Sequence, residues 1–224
     1  HSGYPIMAHL DQQKKVSDIA ELRKGNWGFF HELGHNHQRP DWTPAGTGEV
    51  TCNIFSMYCF ESVCGLPRRG HGAMADAKRE KALREFFADD SKIWTSDAFL
   101  ALNFYDQLVE GFGWDTFKKA FAEYRDLPKT ERPKTNEEKL DQWLVRFSKA
   151  TGKNLGPFFA DNGQVRTIPR QPDNAANTYF RFVHDSAAQS GDTANSLPLS
   201  ARQTVKDLPT WLPEPDFPKR YKGS

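Results

Sequence analysis

At 224 residues the chain is long enough for one substantial hydrophobic core, and a single domain is the simplest division of it. Its 30 Lys+Arg stand against 29 Asp+Glu, a formal net charge of +1, so no global field singles out nucleic acid or an anionic membrane as a partner. No apolar run approaches the roughly 20 residues needed to span a bilayer, which excludes membrane insertion by a helix.

The chain opens at His1 with no charged-then-apolar leader before Ser2-Gly3-Tyr4-Pro5, and so reads as an excised or processed piece of something longer. Tyr4 to Leu10 is a short apolar stretch expected as a strand. Asp11 then opens a polar helical pattern carrying Val16, Ile19, Ala20 and Leu22, which Gly25-Asn26 ends. Asn26 is a suitable N-cap for a second helix, Trp27 to about Gln38, stopped by Pro40. A Pro-, Gly- and Thr-rich loop from Arg39 to Gly48 leads into a helix from Glu49 to Val63, with Gly65 as its stop. Helical periodicity recurs over Lys78 to Asp89, Asp97 to Glu110, Asp115 to Arg125 and Glu137 to Ala150, the last behind the capping box Thr135-x-x-Glu138. Its apolar residues, among them Phe104, Leu108, Phe117, Phe121 and Tyr124, are read as core. After Gly163 the pattern weakens, with Thr178 to Val183 as the clearest strand and Leu208 to Pro218 as a Pro-rich close.

The fold class expected from this is α+β, mainly α. Residues 1–65 form an active-site part, 66–162 a helical subdomain, and 163–224 an irregular or β closing segment. Three cysteines, Cys52, Cys59 and Cys64, leave at least one thiol unpaired within the chain. On a shared helix Cys52 and Cys59 lie about 10 Å apart along the axis, beyond disulfide reach, and buried thiols are the simplest reading.

Residues 31 to 35 read His-Glu-Leu-Gly-His, the pattern in which two imidazoles one helical turn apart bind zinc while the intervening Glu acts as base. Side chains at i and i+4 leave nearly the same side of a helix, so His31 and His35 can converge on one Zn2+ ion. Glu32 lies about 100° round from His31, badly placed as a ligand but able to reach a water on the metal. Random order would produce the motif only about 0.01 times per chain of this composition. A catalytic zinc usually takes three protein ligands, and a carboxylate on the following helix suits the third place, so Glu49 is the leading candidate. Cys52 and Cys59 are the thiolate alternatives. His37 points about 200° away from His35 and is read as a capping or loop-contacting residue. Asn53, one turn after Glu49, is placed to orient one histidine through its far ring nitrogen. Arg39 and Trp42, in the loop between the ligands, are candidates for lining the cleft and contacting substrate. His71 and Tyr105 are weaker candidates for steadying a developing oxyanion. Tyr58, about 180° round the helix from Glu49, should face away from the metal.

The stretch Trp27 to Tyr58, WGFFHELGHNHQRPDWTPAGTGEVTCNIFSMY, resembles the signature region of the M60-like, or enhancin-like, metallopeptidases. In that family His-Glu-x-x-His is followed after a variable gap by a Glu ligand, here Glu49, often with the Gly-Glu-Val-Thr and Asn-x-Phe-Ser pieces found at 48–51 and 53–56. Ser2 to Ile6 and Leu155 to Phe159 extend the likeness over most of residues 1–161. The resemblance implies a zincin-like, gluzincin-type zinc endopeptidase whose helical subdomain closes the cleft. It also implies an N-terminal sheet, truncated here because family catalytic domains carry more sheet before the active-site helix than this chain does. The implied substrate is a mucin-like, O-glycosylated protein, and the implied location is secreted or at the cell surface, bacterial or host-interface. A zinc hydrolase of a non-peptide substrate and a catalytically inactive glycoprotein- or carbohydrate-binding module are the alternatives.

Overall fold

Residues 2–88, 94–159 and 204–211 are described by a computed structural model, and among them the chain is mainly helical with no strand. The expected strand over Tyr4 to Leu10 does not form. Tyr4, Met7 and Leu10 are exposed there, and no strand lies beside the segment among the described residues. The strand expected at Thr178 to Val183, with most of 163–224, lies outside the described residues. An isolated parallel bridge joins Asn154 to Thr210.

The first predicted helix is two short ones, α1 (Gln13–Ser17) and α2 (Ile19–Leu22). Asp18 separates them because it is extended, and its carboxylate accepts the backbone N–H of Ala20 at 2.8 Å as the cap of α2. Next comes α3 (Trp27–His37), started by the Asn26 side chain, which accepts from the Phe29 N–H at 3.1 Å. After a turn at Pro40–Trp42, α4 (Gly48–Tyr58) runs straight into a π-helical turn, Cys59–Val63, and Gly65 ends it in the left-handed conformation with φ 68°. The remainder is α5 (Asp76–Ala88), α6 (Ala98–Asp126), α7 (Asn136–Thr151) and α8 (Gly156–Phe159). Gly113, at φ 71° and ψ 175°, breaks α6 between the two helices expected there. The capping box at Thr135 and Glu138 is formed, and Gly152 closes α7.

The first half of α6 is buried on nearly every side, with α4, α5 and α7 packed around it. Leu140, Trp143, Leu144 and Phe147 give α7 a buried stripe at helical spacing, and Phe147 meets Phe117 edge-on with ring centroids 4.8 Å apart. The core they build is continuous with Trp42, Val50, Ile54 and Met57, so α4 and the turn before it share one core with α6 and α7.

Candidate metal centre

Helices α3 and α4 cross where Gly34 meets Cys52. A Cβ on residue 34 would stand 2.2 Å from the Cys52 carbonyl oxygen, so only glycine permits this approach. The close crossing sets His31 and His35 opposite Glu49. Replacing Gly34 by Ala forces the helices apart, and we expect a loss of about 1–3 kcal/mol in stability, together with weaker zinc binding. Thermal unfolding with and without zinc measures both.

Three electron-rich atoms converge there. Nε2 of His31 and Nε2 of His35 are 3.0 Å apart, and Oε2 of Glu49 lies 3.1 Å from the first and 3.4 Å from the second. Donors at about 2.0–2.1 Å from a tetrahedral zinc stand about 3.3–3.4 Å from one another, so the spacing is that of three corners of such a site. The Glu49 side chain is 69% exposed, against 21% and 19% for the two histidines, so the converging atoms are reachable from solvent.

The second nitrogen of each imidazole fixes its tautomer. Nδ1 of His35 is 2.8 Å from Oε1 of Gln38, whose amide nitrogen donates to the Gly48 carbonyl and to the Thr51 hydroxyl, both at 2.6 Å. A carbonyl only accepts, so the Gln38 nitrogen must face Gly48 and its oxygen must face His35. Nδ1 of His35 therefore carries a proton, and in the neutral ring Nε2 is the nitrogen that presents a lone pair. Likewise the Asn53 nitrogen donates to the Glu49 carbonyl at 2.8 Å, and Oδ1 accepts from Nδ1 of His31 at 2.9 Å. With both rings neutral, two lone pairs and a carboxylate face one another, an arrangement that a cation placed among them would stabilise. The residues present therefore fit a zinc ion.

Cys52 belongs to the same group, whose ligand atoms all lie within 4.8 Å of one another. Its sulfur is 3.4 Å from Nδ1 of His31 but 3.9 Å from Nε2, so it packs beside the imidazole, nearer the nitrogen that faces away from the metal point. Burial, with the Glu49 and Glu32 charges nearby, pushes the thiol up to about 12 and favours the neutral form of a packed side chain. All three cysteines are free.

The sequence-derived candidates divide. His31, His35, Glu49 and Asn53 are brought together, and Glu32 stands on the same helix with its side chain half-buried. Trp42 does not line a cleft. It is 2% exposed, stacks on Phe121 at 4.7 Å and accepts the Trp143 indole N–H through its carbonyl at 2.7 Å, because burying so large a ring outweighs its position between the ligands. Tyr105, also 2% exposed, lies in the core against Phe104 and Trp143 and cannot reach a substrate. His71 stacks on Phe99 at 4.4 Å and accepts the Ala73 N–H through Nδ1, which makes it a wall behind Trp27. The Arg39 guanidinium grips the buried Asp41 carboxylate at 3.1 and 2.7 Å. His37 stacks on Phe55, and Tyr58 packs edge-on against Trp114 across a groove that also takes in Leu33 and Lys118. Gln38 and Trp27 are the site neighbours that sequence reasoning missed. Both carried a signal: Gln38 follows His35 by three residues at the helix end, and Trp27 precedes His31 by one turn on the same face.

The chain belongs to the family described as Peptidase M60, enhancin and enhancin-like, whose model matches residues 1–163. The human protein named TRPM8 channel-associated factor 2 is 37% identical over 193 residues, which is 81% of this chain and 21% of the relative. The Xenopus laevis TRPM8 channel-associated factor homolog is 40% identical over 162 residues, 71% of this chain and 18% of its own length. The chain thus spans about a fifth of these curated relatives. A crystal structure of a functionally unknown conserved protein from Bacillus anthracis str. Ames superposes with a TM-score of 0.63 at 25% identity, covering 92% of this chain and 36% of that one. Among the described residues no helix is long and apolar enough to cross a membrane.

Proposed function

We propose that this chain carries the catalytic centre of a zincin-like, gluzincin-type zinc endopeptidase that cuts mucin-like, O-glycosylated proteins outside the cell or at its surface. The observation that carries the reading is the convergence of His31 Nε2, His35 Nε2 and Glu49 Oε2, with both Nδ1–H groups already committed to Asn53 and Gln38. His31, His35 and Glu49 would hold the zinc. When bound, it supplies Lewis-acid polarisation of the scissile carbonyl and acidifies water. Glu32 accepts the proton of the attacking water as its oxygen bonds to the carbonyl carbon, then returns that proton to the leaving amine as the C–N bond breaks. Asn53 and Gln38 hold the imidazoles, and Arg39, fixed by Asp41, is kept as the substrate contact in this reading.

A second reading draws on the names of the relatives: a domain that retains the metal and serves association with a channel. A hydrolase of a non-peptide substrate shares the metal chemistry and differs only in the bond cut. Zinc analysis of the purified chain with parallel digestion of mucin and casein separates them. We expect stoichiometric zinc, faster cleavage of mucin, and loss of cleavage with a chelator that added zinc restores. Zinc bound with neither protein cut would overturn the peptidase reading and favour the others.

A further inference from the structure

The oxygen that orients His31 is shared. Oδ1 of Asn53 accepts from the Trp27 indole N–H at 2.8 Å as well as from His31 Nδ1 at 2.9 Å, and the Ser56 hydroxyl stands 3.4 Å from the same atom. The bond from the Asn53 nitrogen to the Glu49 carbonyl decides which way round the carboxamide sits. It does not decide where the oxygen rests, since His31 and Ser56 offer it different partners.

We propose that Trp27 is a positioning residue, whose indole N–H holds the Asn53 oxygen against His31 and so keeps His31 in the tautomer that presents Nε2 to the metal. An indole N–H only donates, so it serves this oxygen without competing for the imidazole proton. Its own place is secured by rings: Phe60 and His71 at 5.3 and 5.2 Å between centroids, and Phe99 at 6.1 Å. The loop carrying His71 is anchored in turn by Arg68 and Arg69 on Asp106, at 2.7 and 2.8 Å. Without the indole N–H, the Asn53 oxygen is free to turn toward Ser56. His31 Nδ1 then has the Cys52 sulfur at 3.4 Å as its neighbour, a poor acceptor for an N–H.

The inference rests on the metal-binding part of the proposed function and not on the reaction. Two measurements on the full chain test it: the tautomer of His31 in metal-free protein by 15N NMR of labelled histidine, and zinc affinity by competition with a chelator. Wild type should show His31 protonated at Nδ1. Trp27→Phe, which keeps a ring but loses the donor, should populate the Nε2–H tautomer and weaken zinc binding by about 10–100-fold. Should that variant not fold, benzothienylalanine at position 27 replaces the N–H by sulfur at nearly constant shape. A purely structural Trp27 lowers the melting temperature and leaves the tautomer alone. Unchanged tautomer and unchanged zinc affinity in the variant that folds would overturn the proposal. A wild type that binds zinc but cuts no protein sinks the peptidase reading and leaves this one standing.

Discussion

Glu32→Gln is expected to leave zinc bound and to lower peptide hydrolysis by about 10²–10⁴-fold or more. Glu32 lies outside the group of atoms that converges on the metal point, so its loss removes no ligand. It stands next to His31 on α3, and its charge reaches Cys52, which places the carboxylate near the site. Gln has the same shape but no basic oxygen, so the proton of the attacking water has nowhere to go and the amine receives none. Turnover should fall with little change in KM, because the step removed follows binding. Glu49→Gln provides the contrast. It takes the charge from a converging atom, and both zinc content and turnover should drop. A Glu32→Gln variant that binds zinc and cuts at the wild-type rate would remove the base from the proposed mechanism.

Much of this site is local, and local features are legible in a sequence. His31 and His35 share a helix face by spacing alone, Asn26 announces the start of α3, and Glu49 and Asn53 share a face of α4 for the same reason. What escaped is set by the way helices cross. Gln38 orients His35 only because α3 runs so close to α4 that the Gly48 carbonyl and the Thr51 hydroxyl can hold its amide. Trp27 matters only because Asn53 arrives from a helix 26 residues further on. Trp42 and Tyr105 failed as cleft residues for the opposite reason. Nearness in sequence to the ligands, or a useful hydroxyl, says little against the gain from burying a large ring. The break at Asp18 is a case of side-chain competition: a carboxylate able to cap Ala20 and Glu21 ends one helix and begins another inside a continuous helical pattern.

Asp106→Asn should destabilise the fold by about 3–5 kcal/mol, the range found when one partner of a buried charge group is removed. Asp106 is fully buried on α6 and faces the Nε atoms of Arg68 and Arg69 at 2.7 and 2.8 Å, with Nη2 of Arg79 at 3.4 Å. Burial pushes its carboxyl up, but the Arg69, Arg79 and Arg68 charges outweigh burial and hold it below the usual aspartate value. The sign follows from linkage: a depressed folded value means that stability is present above the unfolded value, about 3.9, and is lost as pH falls through the folded one. Urea unfolding from pH 7 to pH 3 should therefore show wild type losing stability in acid. The Asn variant should start lower and lose less over the same window, having already lost this contribution. Glu110 and Glu61 also contact these arginines, but both are partly exposed and cannot replace a carboxylate inside the core. The consequence extends to the candidate metal centre, because these arginines anchor the loop whose His71 packs on Trp27. The variant should bind zinc more weakly even where it remains folded. A stability change below about 1 kcal/mol would mean that the cluster is screened like a surface ion pair, and would remove it as the support of that loop.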